Sequence, residues 1–179
     1  LQQYMAAEPG LADFQQLLDD LLALRPHRLG AETERVLAAL GAVLAAPAMV
    51  YNRSKSSDLQ FAPFTDAAGT THVNSFNGFE SSFETDADPS VRRGAWASFS
   101  AGLKAYNQTW GATFATEVNK NVVLARLRQY PSTEAYLLQP HKIPRGVYNN
   151  ILDIIQAELA PHMQRYARLR RRVLGECEP

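Results

Sequence analysis

The sequence is short of nearly everything that announces a chemistry. One cysteine, Cys177, stands alone among 179 residues, so no internal disulfide can form, and a reducing, cytoplasmic compartment is expected. Eighteen Lys and Arg balance 18 Asp and Glu. Without a basic excess the chain is not built as a general nucleic-acid binder. No uninterrupted apolar run approaches the roughly 18–20 residues that cross a bilayer. The longest alanine-rich stretch, 36–50, is broken by Gly41 and Pro47, and no membrane partner is expected. No basic-then-apolar leader follows Leu1. Both ends look cut, Leu1 opening into polar residues and Glu176-Cys177-Glu178-Pro179 trailing off after a strong helix, so the chain reads as a piece of a longer protein.

Catalytic motifs are missing too. There is no Gly-rich phosphate loop, no G-x-S-x-G elbow and no H-E-x-x-H. Of the four histidines, His27, His72, His141 and His162, none lies four residues from another, which excludes a paired helical zinc site. Asp19-Asp20 reads as the solvated face of a helix, and Glu84, Asp86 and Asp88 as loop and capping residues rather than a carboxylate pair or metal site.

What the chain has in abundance is helical periodicity. Leu11, Phe14, Leu17, Leu18, Leu21 and Leu22 recur every three or four residues, which predicts an amphipathic helix over 10–25 that Arg25-Pro26 ends. A second helix is expected over 31–53, kinked or split at Pro47. The polar span that follows reads as a β-hairpin over 58–74, with Asp66-Ala67-Ala68-Gly69 as its turn and Pro63 confining one strand to an edge or bulge. Asp88-Pro89 is a strong helix start, Asp at the N-cap and Pro where its missing N–H costs nothing.

From there Val91, Ala95, Phe99, Leu103, Tyr106, Trp110, Phe114, Val118 and Val122 form one stripe. It predicts a spine over 89–130, about 40 residues and roughly 60 Å long if unbroken, with Trp96, Tyr106 and Trp110 in the core. Ser132 caps a short helix over 132–138. Ile143-Pro144 opens the last, over 144–174, whose stripe runs from Val147 to Val173 through a kink at Pro161. Arg165, Arg168, Arg170, Arg171 and Arg172 read as borders of a buried face and as cations completing a helix end. His141 falls in a surface loop. His72 is the histidine to watch, because hairpin ends often overhang a cleft. The fold class is therefore mainly α: long antiparallel helices with one small hairpin, forming a single lobe over 1–179.

Several segments in fixed order carry a resemblance. They are Asp58-Leu59-Gln60-Phe61, the 65–69 turn, Asp88 to Trp96, Tyr106-Asn107-Gln108-Thr109, Leu124 to Tyr130, Ile143 to Tyr148, Arg165 to Arg170 and Val173-Leu174-Gly175. In this order and spacing the chain resembles the amino-terminal half of the oligoendopeptidase F group, zinc metallo-oligopeptidases related to thimet oligopeptidase, from about Arg25 to Gly175. The stretch 71–85 departs from that pattern, Asn/Ser/Phe-rich where a more charged segment is expected.

The resemblance implies a helical protein of two lobes around a deep channel. Zinc would be held by an H-E-x-x-H helix and a downstream glutamate in the carboxy-terminal half. It implies zinc and an oligopeptide substrate for the parent enzyme, a missing carboxy-terminal catalytic lobe as partner, and no catalytic or metal residue in this chain. His72 is the one substrate-channel candidate. Two rivals stand beside it: an independent helical interaction module, which would show polar faces all round, and a stand-alone metal-dependent hydrolase using His72, His162 and scattered carboxylates.

Overall fold

The computed structural model describes residues 9–173; Leu174 and Cys177 lie outside them. The expected mainly α chain with one small hairpin is what folds. The helices are α1 (Gln15–Leu24), α2 (Ala31–Ala39), α3 (Gly41–Arg53), α4 (Phe76–Ser81), α5 (Pro89–Ala105), α6 (Asn107–Leu127), α7 (Thr133–Leu138) and α8 (Arg145–Val173). Strands β1 (Phe64–Thr65) and β2 (Thr71–His72) pair antiparallel between α3 and α4, with Phe64 opposite His72 and Thr65 opposite Thr71. Where the sequence reads as one lobe, the described residues fall into two compact units. One comprises residues up to Ala45 with Val118–Arg145, the other Ala46–Glu117 with Gly146 onward.

Four boundaries differ from expectation. The 31–53 helix divides at Leu40 (φ −83°, ψ 2°), just before Gly41, and runs on through Pro47. Pro47 is buried there, and glycine is the poorer helix former next to which a break is cheap. The spine divides at Tyr106 (φ −97°, ψ 1°), whose N–H reaches back only three residues to the Leu103 carbonyl. It then ends at Leu127, before Tyr130-Pro131. Gln129 adopts φ 57°, the Tyr130 N–H bonds to the Ala125 carbonyl and the Gln129 N–H to Arg126, the crossed pair of bonds that closes a helix at a left-handed residue. Finally, Ser54–Asp58 prolongs α3 as a π turn, so the hairpin is far shorter than 58–74.

The core of the second unit lies on one face of α5. Phe64, Phe79, Val91, Ala95 and Phe99 are buried, with Phe61, Phe76, Phe83 and Leu103 packed around them. Gly94, Ser98 and Gly102 stand one turn apart on α5 and receive the hairpin's leading segment. A Cβ on Gly94 would lie 2.5 Å from Phe64 Cδ2, and one on Gly102 2.5 Å from Phe61 Cδ1. Between them Ser98 Oγ donates to the Ala62 carbonyl at 2.6 Å. Phe61 thus drops into α5 instead of extending β1, and Pro63 has no N–H to offer a ladder.

Asp88 and Ser132 cap as their positions predict, accepting from the N–H groups of Ser90 and Ala135 at 2.7 and 3.1 Å. The stripe is buried only in its first half. Phe114 and Val118 are exposed on α6 and Val122 is half-buried, and Trp96, expected in the core, is 59% exposed. All of α8 is exposed except half-buried Arg170, so its arginines border no buried face. One stretch also qualifies the reading of run length: residues Ala31–Asp58, helical with a mean hydropathy of 1.4 at their most apolar, are long and apolar enough to cross a membrane by length and composition alone.

In the first unit Arg128 sends Nη1 and Nη2 to the two carboxylate oxygens of Glu34 at 2.8 and 2.9 Å. The Leu29 N–H adds a third bond to Glu34. His27 Nδ1 lies 2.8 Å from the Arg128 carbonyl and its ring stacks on Tyr130 at 3.5 Å. A carbonyl can only accept, so Nδ1 carries the proton. The Arg128 hydrogen bonds, then the Leu29 N–H, lower the Glu34 carboxyl to about 2 from its ordinary 4.5. The folded value lies below the unfolded one, so this contribution to stability is full above pH 4.5 and is lost as pH falls towards 2. An acid-unfolding series should lose part of its dependence in that window in Glu34→Gln. An unchanged profile would deny the pair a role in stability.

Candidate functional site

The hairpin holds the one site residue the sequence singles out. His72, on β2, stacks on Phe64 of β1 (5.0 Å between centroids, 18° between planes) and meets Phe83 edge-on at 5.8 Å. Its Nε2 lies 2.9 Å from Asp66 Oδ2, while Asp66 Oδ1 accepts from the Thr70 N–H at 2.9 Å. Gly69, at φ 86°, makes the turn and donates to the Asp66 carbonyl; glycine adopts that conformation without steric cost. The His72 contact, then the Thr70 N–H, holds the Asp66 carboxyl below its ordinary range. His72 is 24% exposed. The pair ties the turn to the aromatic layer and presents one partly open imidazole edge, with no nucleophile among its bonded partners.

Next to the hairpin, still in the second unit, lies a polar cleft of about 640 Å³. Asn52, Lys55, Gln60, Ser75, Asn77 and Glu80 line it along with Phe61, Phe76 and Asn74; His72 does not. Lys55 Nζ sits 4.0 Å over the Phe76 ring, a favourable seat for an ammonium. Buried Asn74 anchors the wall, donating to the Ala95 carbonyl at 3.0 Å and to Ser98 Oγ at 3.2 Å, and accepting from the Ser75 N–H. Ser75 in turn caps α4. The amide and hydroxyl groups offered here suit a peptide main chain, which needs both donors and acceptors. For the lining residues from Asn74 to Glu80 the sequence signal is the Asn/Ser/Phe-rich character of 71–85, and Asn52, Lys55 and Gln60 lie outside it. Nothing in it says which asparagine is buried and which faces the cleft.

The remaining candidates are dispersed. Asp19 and Asp20 accept from Gln15 and Gln16 one turn back, and Asp20 pairs with Lys142 at 2.9 Å. Asp86 accepts from the Asp88 N–H, and Glu84 pairs with Arg170 at 3.2 Å. His141 and His162 are exposed. Among the described residues no three His, Cys, Asp or Glu side chains come together as a metal site. The described residues therefore do not form a site that fits a zinc ion.

Fold and site together define a mainly helical chain with a polar cleft beside a small hairpin. Comparison with known proteins gives its family. A family model described as Oligopeptidase F matches residues 1–61, and that of Peptidase family M3 matches residues 82–178. The chain belongs to peptidase family M3, as an amino-terminal portion of an oligoendopeptidase F-like peptidase. Oligopeptidase PepF of Bacillus subtilis is 28% identical over 97% of this chain and 26% of its own length. Group B oligopeptidase PepB of Streptococcus agalactiae is 26% identical over 97% and 29%. The solved structure of oligoendopeptidase-F from Enterococcus faecium superposes with a TM-score of 0.84 at 25% identity, over 99% of this chain and 35% of that one. The chain thus spans under a third of the length of these two curated relatives.

Proposed function

We propose that the whole protein is a cytoplasmic zinc metallo-oligopeptidase of short peptides, and that this chain forms a wall of its substrate channel without supplying zinc ligands or catalytic groups. The observation that supports this is the pairing of an oligoendopeptidase fold with the absence, among the described residues, of any cluster able to bind a metal. The polar cleft by Lys55 and Asn77 would hold peptide main chain, and His72 on the neighbouring hairpin is the candidate side chain of the channel. The lone cysteine and neutral charge suit a cytoplasmic protein without nucleic-acid or membrane partners.

An independent interaction module would carry polar faces all round. The apolar side chains exposed along α3, α6 and α8 favour instead a lobe whose neighbours belong to the rest of the enzyme. The purified chain, supplied with zinc, should leave an internally quenched oligopeptide intact. Hydrolysis that co-purifies with it and stops on adding a chelator would refute the assignment.

A further inference from the structure

Lys55 is a half-buried cation in the wall of the polar cleft, and the fold leaves it without an anion. It belongs to the π turn that prolongs α3, closed by the Leu59 N–H on the Ser54 carbonyl at 2.9 Å. Ser54 is buried and held twice. Trp110 Nε1 donates to its Oγ at 2.8 Å, and that hydroxyl donates to the Tyr51 carbonyl at 2.9 Å. The backbone carrying Lys55 is therefore fixed against α6, and turns of this kind recur at functional sites. Lys55 Nζ has the Phe76 ring at 4.0 Å, yet no carboxylate of the described residues comes within ion-pair distance of it. An ammonium taken partly out of water costs free energy unless an anion answers it, and a ring face answers only part. Glu80, the acidic residue of the lining, is exposed and makes no such pair.

Taking the cleft as the peptide site proposed above, we infer that it grips its ligand by a carboxylate, terminal or from an Asp or Glu side chain, held by Lys55 Nζ. The ammonium brings three N–H donors and a full charge, and hydrogen bonds to ionised partners are roughly twice as strong as neutral ones. Asn52, Gln60 and Asn77 present side-chain amides in the same lining. They supply donors for the second carboxylate oxygen and acceptors for peptide N–H groups. The lysine stem is already half-buried and its ammonium already seated on the ring, so little side-chain freedom is lost on binding. A cationic ligand would meet Lys55 as a like charge, with only the exposed and well-hydrated Glu80 to attract it.

Titrating the isotope-labelled chain with N-acetylated penta-alanine, followed by NMR, tests this; the side-chain amide signals of Asn52, Gln60 and Asn77 report on the cleft. The free acid should bind about tenfold more tightly than the carboxamide of the same peptide. A carboxamide carrying one glutamate in place of an alanine separates the two sources. Recovered affinity means that a side-chain carboxylate serves, and no recovery that the terminal one is required; either supports a carboxylate site. Lys55→Met keeps the apolar stem over Phe76 and removes the charge, and it should abolish the preference with unchanged circular dichroism. Glu80→Gln removes a repulsion and should tighten binding of the acid about twofold. The peptide series uses the unaltered chain, so it decides even if Lys55→Met fails to fold. Equal binding of the acid and both carboxamides would overturn the inference and leave the peptide site standing. Shifts at none of the three amides with any of these peptides would overturn both. A preference that survives Lys55→Met, or is lost in Glu80→Gln, would place the grip elsewhere and overturn it as well.

Discussion

Phe99→Ala should lower the unfolding free energy by about 3–5 kcal/mol, the largest loss expected from any single truncation in this chain. Phe99 lies buried on α5 at the centre of the aromatic cluster. It stacks on Phe79 at 4.2 Å and on Phe61 at 5.1 Å, and meets Phe76 edge-on at 5.3 Å. Its removal opens a cavity walled by rings that cannot collapse into it, because each is held from another side: Phe61 by Gly102, and Phe79 by α4. Urea denaturation should show a lower midpoint with an unchanged slope. Phe114 is the control. It belongs to the same sequence stripe but is exposed on α6, and Phe114→Ala should stay within about 0.5 kcal/mol. Equal losses at the two positions would place the core elsewhere.

The glycines of α5 and α6 should respond with opposite signs to the same change. Helix propensity alone makes Gly→Ala favourable by about 1 kcal/mol in a helix interior. Gly111 has nothing within 4 Å of an added Cβ, and Gly111→Ala should stabilise by about 0.5–1 kcal/mol. At Gly94 the added methyl would lie 2.5 Å from Phe64 Cδ2. At Gly102 it would meet Phe61 Cδ1 at the same distance and the Gln60 carbonyl at 3.1 Å. Neither ring can move freely, one being stacked on His72 and the other on Phe99. Overpacking of this kind costs about 1–3 kcal/mol, so both substitutions should destabilise despite the better propensity. Three variants in one denaturation series suffice. A gain at Gly94 would mean that the hairpin does not seat on α5 as described.

Local signals in the sequence were good guides wherever a few neighbouring residues settle the outcome. The Asp88-Pro89 start, the Ser132 cap and the Gly69 turn each depend on hydrogen bonds and dihedrals within four residues, and each is found where its residues indicate. The ordered segments from Asp58 to Gly175 also sufficed to suggest the peptidase family. The breaks at Leu40 and Tyr106 carried no comparable signal. Pro47 was the obvious breaker, yet the chain buries it and the helix divides about two turns earlier, beside Gly41. In the polar cleft, Asn74 and Asn77 are the same residue type three positions apart. Only the close approach of α5, with the Ala95 carbonyl and Ser98 Oγ in reach, buries one as an anchor of the cleft wall and leaves the other exposed.

The scarcity of telling residues, one cysteine, no charge excess and no catalytic motif, by itself excluded a disulfide scaffold and offered no motif from which to name a reaction centre. Periodicity by itself determined which face of each helix is apolar, because that depends only on spacing along one element. What covers each face was decided by tertiary structure alone. The stripe of α5 is buried because the hairpin's phenylalanines seat on its glycines. The equally apolar stripe of α8 stays open because no other element of its own unit packs along it. Burial is a property of two surfaces, and a single helix's pattern describes only one of them.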